Sequence, residues 1–145
     1  MRSTLLSDRP GARVHLLALE AGEEAMAVLR AFCAEHGIGG GHLTGLGALS
    51  GARVAFFLPE EKRYEQIEVA EQVEVLALVG NVARSEGEPL VHAHVVLGLR
   101  DGSTRGGHLL EAHVRPTLEI VLSESAAPLQ RRPDAAVGLP LLDLS

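Results

Sequence analysis

The chain has 145 residues, 46% of them hydrophobic and 22% charged, with 13 Lys and Arg against 19 Asp and Glu for a formal net charge of −6. That length suits one domain with its own core, and the composition excludes the disordered class. The negative balance, the lack of Trp and an aromatic content of 3% leave little to neutralise phosphates or stack on bases, so direct nucleic-acid binding is not expected.

Met1 to Asp8 lacks the apolar stretch of a secretory signal, and runs such as Val75 to Val79 and Val95 to Leu97 are strand-length. From these a cytoplasmic chain with no segment in a membrane is expected. The lone Cys33 fits that compartment and reads as a small buried residue. Arg13 to Leu19 alternates weakly and reads as a first strand. Gly22 to His36 has helical spacing, with Ala25, Val28, Leu29, Phe32 and Cys33 on one side, and Gly37 stops it. From Gly39 the texture changes to short β-like runs punctuated by glycine. Strands are expected over His42 to Leu49, Arg53 to Leu58, Tyr64 to Ala70, Gln72 to Val82, Val91 to Leu99, Thr104 to Val114 and Thr117 to Ser123. No second helical pattern exists to make parallel crossovers, so the fold class is α+β, a mostly antiparallel sheet with one main flanking helix. The domain is expected to span 1–145, with a core over about 10–125. The tail from 126 to 145 carries Pro128, Pro133 and Pro140 yet ends in Leu139 to Leu144, and is expected to dock on the core or on a neighbour.

The glycines from Gly37 to Gly51 do not form a phosphate loop. No GxxxxGK[ST] occurs, and Gly45-Leu46-Gly47 lacks the third glycine and following helix of a dinucleotide fingerprint. Tight turns and close backbone approach account for them better.

The residues most suited to chemistry are His92, His94 and His108. Imidazole is a common ligand for zinc and neighbouring metals, and three histidines with an open fourth position recur in catalytic zinc sites. Alternation along a strand puts His92 and His94 on one face. A two-residue Asp101-Gly102 turn would oppose His108 to Val95, on the wrong face. A three-residue Arg100-Asp101-Gly102 loop pairs Leu99 with Ser103 and sets His108 opposite His94, and a bulge at Gly106-Gly107 is an equivalent route. In the three-residue register His92, His94, Val96, His108, Leu110 and Ala112 share a face while Glu111 and His113 point away. Both faces look apolar enough to be covered by the helix, the tail or another subunit. The competing account is that the histidines are satisfied by backbone carbonyls or by a carboxylate such as Glu119.

Several stretches carry a wider resemblance. They are Thr44 to Leu49, Tyr64 with Val73 to Asn81, Pro89 to His94, Asp101-Gly102, Gly106 to Leu109 and Thr117 to Ile120. Through them the chain resembles the plants-and-prokaryotes-conserved domain, also called DUF296, over roughly residues 10 to 140. The resemblance implies a compact antiparallel sheet with a flanking helix, assembled as a homotrimer. Plant members join this domain to AT-hook segments that enter the DNA minor groove, and the domain itself serves assembly and partner binding, an association with DNA through partners. The chain has no such hook, and carries Glu71-Gln72-Val73-Glu74 where plant members have Gly-Arg-Phe-Glu. The domain is also similar in fold to acetolactate decarboxylase, whose metal sits in a His-x-His plus His set. Carried over by motif, His92, His94 and His108 become the ligands of zinc or another divalent transition metal. Glu119 is then the candidate catalytic or supporting carboxylate, and Arg115 a weaker candidate for an anionic substrate. The same resemblance admits a small-molecule ligand at the metal or subunit interface, and a hydrolase or lyase acting on a small carbonyl compound.

Overall fold

In the computed structural model, which describes residues 1–145, the alternating runs become nine strands and the helical pattern one helix. In chain order these are β1 (Arg2–Ser7), β2 (Val14–Glu20), α1 (Ala25–Glu35), β3 (Gly41–Leu58), β4 (Arg63–Val69), β5 (Val73–Ser85), β6 (Glu88–Gly98), β7 (Thr104–Glu124), β8 (Gln130–Asp134) and β9 (Leu139–Asp143). All pairings between strands are antiparallel except the short one between β5 and β8. β3 pairs with both β5 and β7, and β6 closes the circuit by pairing with the same two. The ring of β3, β5, β6 and β7 thus removes most open edges, with β2 and β1 extending it beyond β7.

The α+β expectation holds, and three local expectations change. The strands read separately at His42–Leu49 and Arg53–Leu58 are one strand, β3, and those at Thr104–Val114 and Thr117–Ser123 are one strand, β7. The close backbone approach expected of the glycines is seen within β3. A Cβ at Gly47 would lie 2.3 Å from the Thr117 carbonyl oxygen, so only glycine allows β3 and β7 to approach there. The second change is at the ends, since β1 and the β8–β9 hairpin were not read as strands and β1 lies outside the expected core range.

The third change is in facing. Arg53 pairs with Glu111 but Val54 with Leu109, so Leu110 is an extra residue in β7. Such a bulge reverses the alternation beyond it. Ala112 consequently turns inward with Leu109 and Val114, all buried, away from the His108 face on which it was expected. Glu111 and His113 turn outward, contrary to the bulge-free register.

α1 matches its spacing, burying Ala25, Met26, Leu29, Phe32 and Cys33 against the sheet. Glu24 caps it, its carboxylate accepting from the Met26 and Ala27 N–H groups at 3.0 and 2.7 Å and from Ala112 N–H of β7 at 3.0 Å. At the other end Gly37 adopts φ +66° and the Ile38 N–H reaches the Cys33 carbonyl at 2.9 Å. A single core cluster includes Leu17, Leu43, Leu49, Leu97, Leu118, Ile120 and Leu122. Of the cover expected on both faces from the helix, the tail or another subunit, the single chain supplies one face. Leu46, Leu76, Val79 and Val96 remain between 43% and 62% exposed on this chain.

The tail docks on its own core. Leu129 exchanges backbone hydrogen bonds with Arg84 and Gly39, and β8 then runs beside the end of β5, pairing Ser85 with Arg131. This route carries Arg131 to the histidines.

Candidate metal centre

The Arg100–Gly102 connection decides the site. Leu99 N–H donates to the Ser103 carbonyl at 2.9 Å, Gly102 N–H to the Leu99 carbonyl at 2.9 Å, and Gly102 adopts φ +82°. The Asp101 carboxylate accepts from the Ser103 N–H and hydroxyl at 2.9 and 2.6 Å. This is the three-residue loop, and its register places His94 directly opposite His108. Gly106 and Gly107 give β7 room at this point. A Cβ on Gly107 would come within 2.7 Å of the Ala55 carbonyl oxygen of β3, and one on Gly106 within 2.5 Å of the Val95 carbonyl oxygen of β6.

His92, His94 and His108 therefore converge. Their ring centroids lie 5.1 to 5.5 Å apart, and one donor nitrogen from each falls within 4.8 Å of the other two. Ligands on a tetrahedral ion with Zn–N near 2.1 Å stand about 3.4 Å apart, so small ring movements close the set. Neither backbone carbonyl nor carboxylate occupies these rings. The Nδ1 of His108 is buried with no hydrogen-bond partner, and a buried imidazole nitrogen left bare is costly unless something else takes its lone pair or its proton. This orphaned atom, together with three imidazoles converging on one point, fits a metal better than it fits the hydrogen-bonded alternative.

The surroundings disfavour the protonated forms of His92 and His108. Burial, then the Arg131 guanidinium and the two neighbouring imidazoles, lowers His92 from 6.5 to about 4. His108 is lowered in the same way by burial, then by His94 and Arg131. Neutral rings are the form that ligates. Tyr64 of β4 stacks on His108, centroids 4.7 Å apart and planes at 23°, which fixes that ring.

Arg131 sits on the other side. Its Nη1 donates to the Pro140 carbonyl at 2.9 Å and its Nη2 to Asn81 Oδ1 at 3.0 Å and His92 Nδ1 at 3.1 Å. A guanidinium can only donate, so His92 Nδ1 is the acceptor and the ring proton is on Nε2 in this arrangement. For His92 to ligate through either nitrogen while neutral, Arg131 must release Nδ1. Tyr64, His92, His108 and Arg131, with Leu90, Val91 and Leu139 to Leu141, line a pocket of about 240 Å³.

The remaining candidates lie elsewhere. Glu119 is exposed near the far end of β7 and borders a separate apolar hollow with Leu16, Leu46, Leu76 and Val79. Arg115 is exposed, its carbonyl accepting from Gln72 Nε2 at 2.8 Å. His113 is held by Glu111, Nε2 to Oε1 at 2.9 Å, outside the cluster of three. Asn81 and Arg131 were not foreseen as site residues. The neighbouring Arg132 turns away and pairs with Asp143.

A family model described as the Plants and Prokaryotes Conserved domain matches residues 7–126. Among solved structures, the chain is similar to a plant- and prokaryote-conserved protein of Pyrococcus horikoshii, at 35% identity and a TM-score of 0.85, covering 98% of this chain and 94% of that one. It is also similar to a metal-containing protein of Archaeoglobus fulgidus, at 34% identity and a TM-score of 0.83, covering 89% and 91%. A Staphylococcus aureus protein of unknown function, similar to α-acetolactate decarboxylase, shares the fold at 14% identity and a TM-score of 0.51, covering 76% and 51%. No curated protein matches the chain at a significant level.

Proposed function

This chain belongs to the Plants and Prokaryotes Conserved domain family, and from that membership we propose that it binds a divalent transition metal, zinc foremost, through His92, His94 and His108. In this reading it works as a homotrimer with a small-molecule or partner-binding role. The observation that carries the reading is the convergence of the three histidines with no carboxylate among them and one buried nitrogen unpartnered. The metal-containing relative from Archaeoglobus supports it. Imidazole donors favour zinc and its later first-row neighbours over magnesium or calcium.

His92, His94 and His108 would hold such an ion, which would supply Lewis-acid polarisation of a carbonyl or an anchor for a partner group. The chain supplies the orientation. Tyr64 holds His108 by stacking, and β6 alternation holds His92 and His94 on one side. The trimer is supported by the uncovered apolar face of Leu46, Leu76, Val79 and Val96, a patch that single chains in water tend to bury against a copy.

Metal analysis after zinc loading tests the site. Unaltered protein is expected to retain about one zinc per chain and His94→Ala much less. Sub-stoichiometric zinc in both would defeat the proposal.

One observation favours a catalytic version of the same reading, a metal-dependent hydrolase or lyase on a small carbonyl compound. The pocket of about 240 Å³ opens on His92 and His108, where such a compound would meet the ion. Glu119 does not reach that pocket within one chain, so a proton-transfer role for it would have to come from another subunit.

A further inference from the structure

The pocket beside the histidines has an unbalanced charge. Arg131 forms no ion pair, and no Asp or Glu lines the cavity it shares with Tyr64, His92 and His108. Its partners are a carbonyl, an amide oxygen and an imidazole, all neutral. The Nε atom is buried and has no partner at all. Burial accordingly pulls the guanidinium below its ordinary range, with only the Tyr64 hydroxyl acting against that. Three neutral imidazoles holding a divalent cation would bring the local charge, the guanidinium included, to about +3, with nothing in the cavity to offset it.

We propose that this pocket binds a small organic carboxylate, its two oxygens on the Nε/Nη2 edge of Arg131 and its hydrocarbon body against Leu90, Leu139 and Leu141. The Nε and Nη2 hydrogens form one edge of the guanidinium fork, spaced for the two oxygens of a carboxylate. Nε is free already, and Nη2 is occupied by Asn81 and His92. The proposal rests on the metal reading at one point. When His92 becomes a ligand it gives up Nη2, and a turn of the guanidinium would bring the edge, whose Nε is now buried, to the cavity that Arg131 lines, with the positive ion nearby. The apolar walls come from β6 and the β8–β9 hairpin, so the tail closes the site as well as supplying its charge. A volume of about 240 Å³ admits a molecule of a few carbons, below the usual range for drug-sized ligands. An inorganic anion would satisfy Arg131 but leave those walls facing water.

Calorimetric titration with butyrate, its neutral isostere butyramide and inorganic phosphate tests this, on the full chain both metal-free and zinc-loaded. Butyrate is expected to bind both forms, more tightly with zinc, and butyramide roughly tenfold more weakly or not at all. Arg131→Met is expected to lose butyrate binding by a similar factor while still taking up cobalt with the absorption bands of a tetrahedral site. Butyramide binding as tightly as butyrate to the metal-free protein, or butyrate binding undiminished in Arg131→Met, overturns the proposal. Phosphate binding more tightly than butyrate overturns the hydrocarbon part of it. Should Arg131→Met fail to fold, the comparison of butyrate with butyramide on unaltered protein decides alone. Zinc content measured on the same samples keeps the two readings apart, because a protein that holds no zinc yet prefers butyrate refutes the metal and retains the anion site.

Discussion

His92 shows how one residue's environment sets both its chemistry and a cost to folding. An imidazole lowered to about 4 by burial and by Arg131 stays neutral where a free histidine near 6.5 has already taken a proton. Between those two values the unfolded chain binds protons that the folded chain refuses, so stability is full above about pH 6.5 and falls as the pH drops toward about 4. His108, lowered in the same direction, adds to the loss. The metal-free protein is therefore expected to melt at progressively lower temperature across that window, and His92→Gln to show a shallower dependence. A melting temperature that tracks pH identically in both proteins would contradict this assignment. The histidine pair at i and i+2 was legible from strand alternation alone. Arg131 was not, because its distance along the chain from His92 says nothing about which strand its tail will join.

Among the elements, the β6–β7 hairpin and α1 carry the most consequence. The three-residue loop was one of several registers the sequence allowed, and the structure selects it through Gly102 and the Asp101 carboxylate. Inserting one residue between Ser103 and Thr104 would keep that loop but oppose His108 to Ala93, putting the imidazole on the wrong face. That variant is expected to keep its strand content by circular dichroism and to lose zinc binding, whereas retention of stoichiometric zinc would show that a bulge at Gly106-Gly107 can restore the register. In α1, the Glu24 carboxylate accepts three backbone N–H groups, one of them from β7, so it ties helix to sheet as well as capping. Glu24→Ala is expected to cost about 1–2 kcal/mol in urea unfolding, at the upper end of a cap's value because Ala112 N–H is also left unpaired. The helix was plain from its spacing. Its cap was not, since Glu is outside the favoured capping residues and owes its position to the tertiary contact.

For the whole molecule the open apolar face is the main unresolved surface of a single chain. Val79 stands between the hollow bordered by Leu46 and Leu76 and the one bordered by His94 and Val96, so a partner subunit seated there would also adjoin the metal site. Placing a charge at its centre should be far more costly to the assembly than to the fold. Val79→Asp is expected to shift the mass measured by light scattering from three chains to one while leaving the far-ultraviolet spectrum unchanged. An unaltered protein that is already monomeric at micromolar concentration would remove the trimer. The family relatives match nearly the full chain, so this architecture extends across the β1 strand and the tail hairpin as well as the matched central region.

The α+β class, the single helix, most of the inner strands and the three histidines follow from local patterns, because alternation, helical spacing and a His-x-His pair are set by the backbone's own periods. The sequence also supplied enough dispersed motif to mark the family. Tertiary structure alone decided the closed ring of β3, β5, β6 and β7, the bulge at Leu110 that reverses Ala112 and His113, the separation of Glu119 from the histidines, and the arrival of Arg131. Those depend on which strands meet and in what register. Such pairings are set by the packing of one shared core and the close passage of glycines, which no window of neighbouring residues contains.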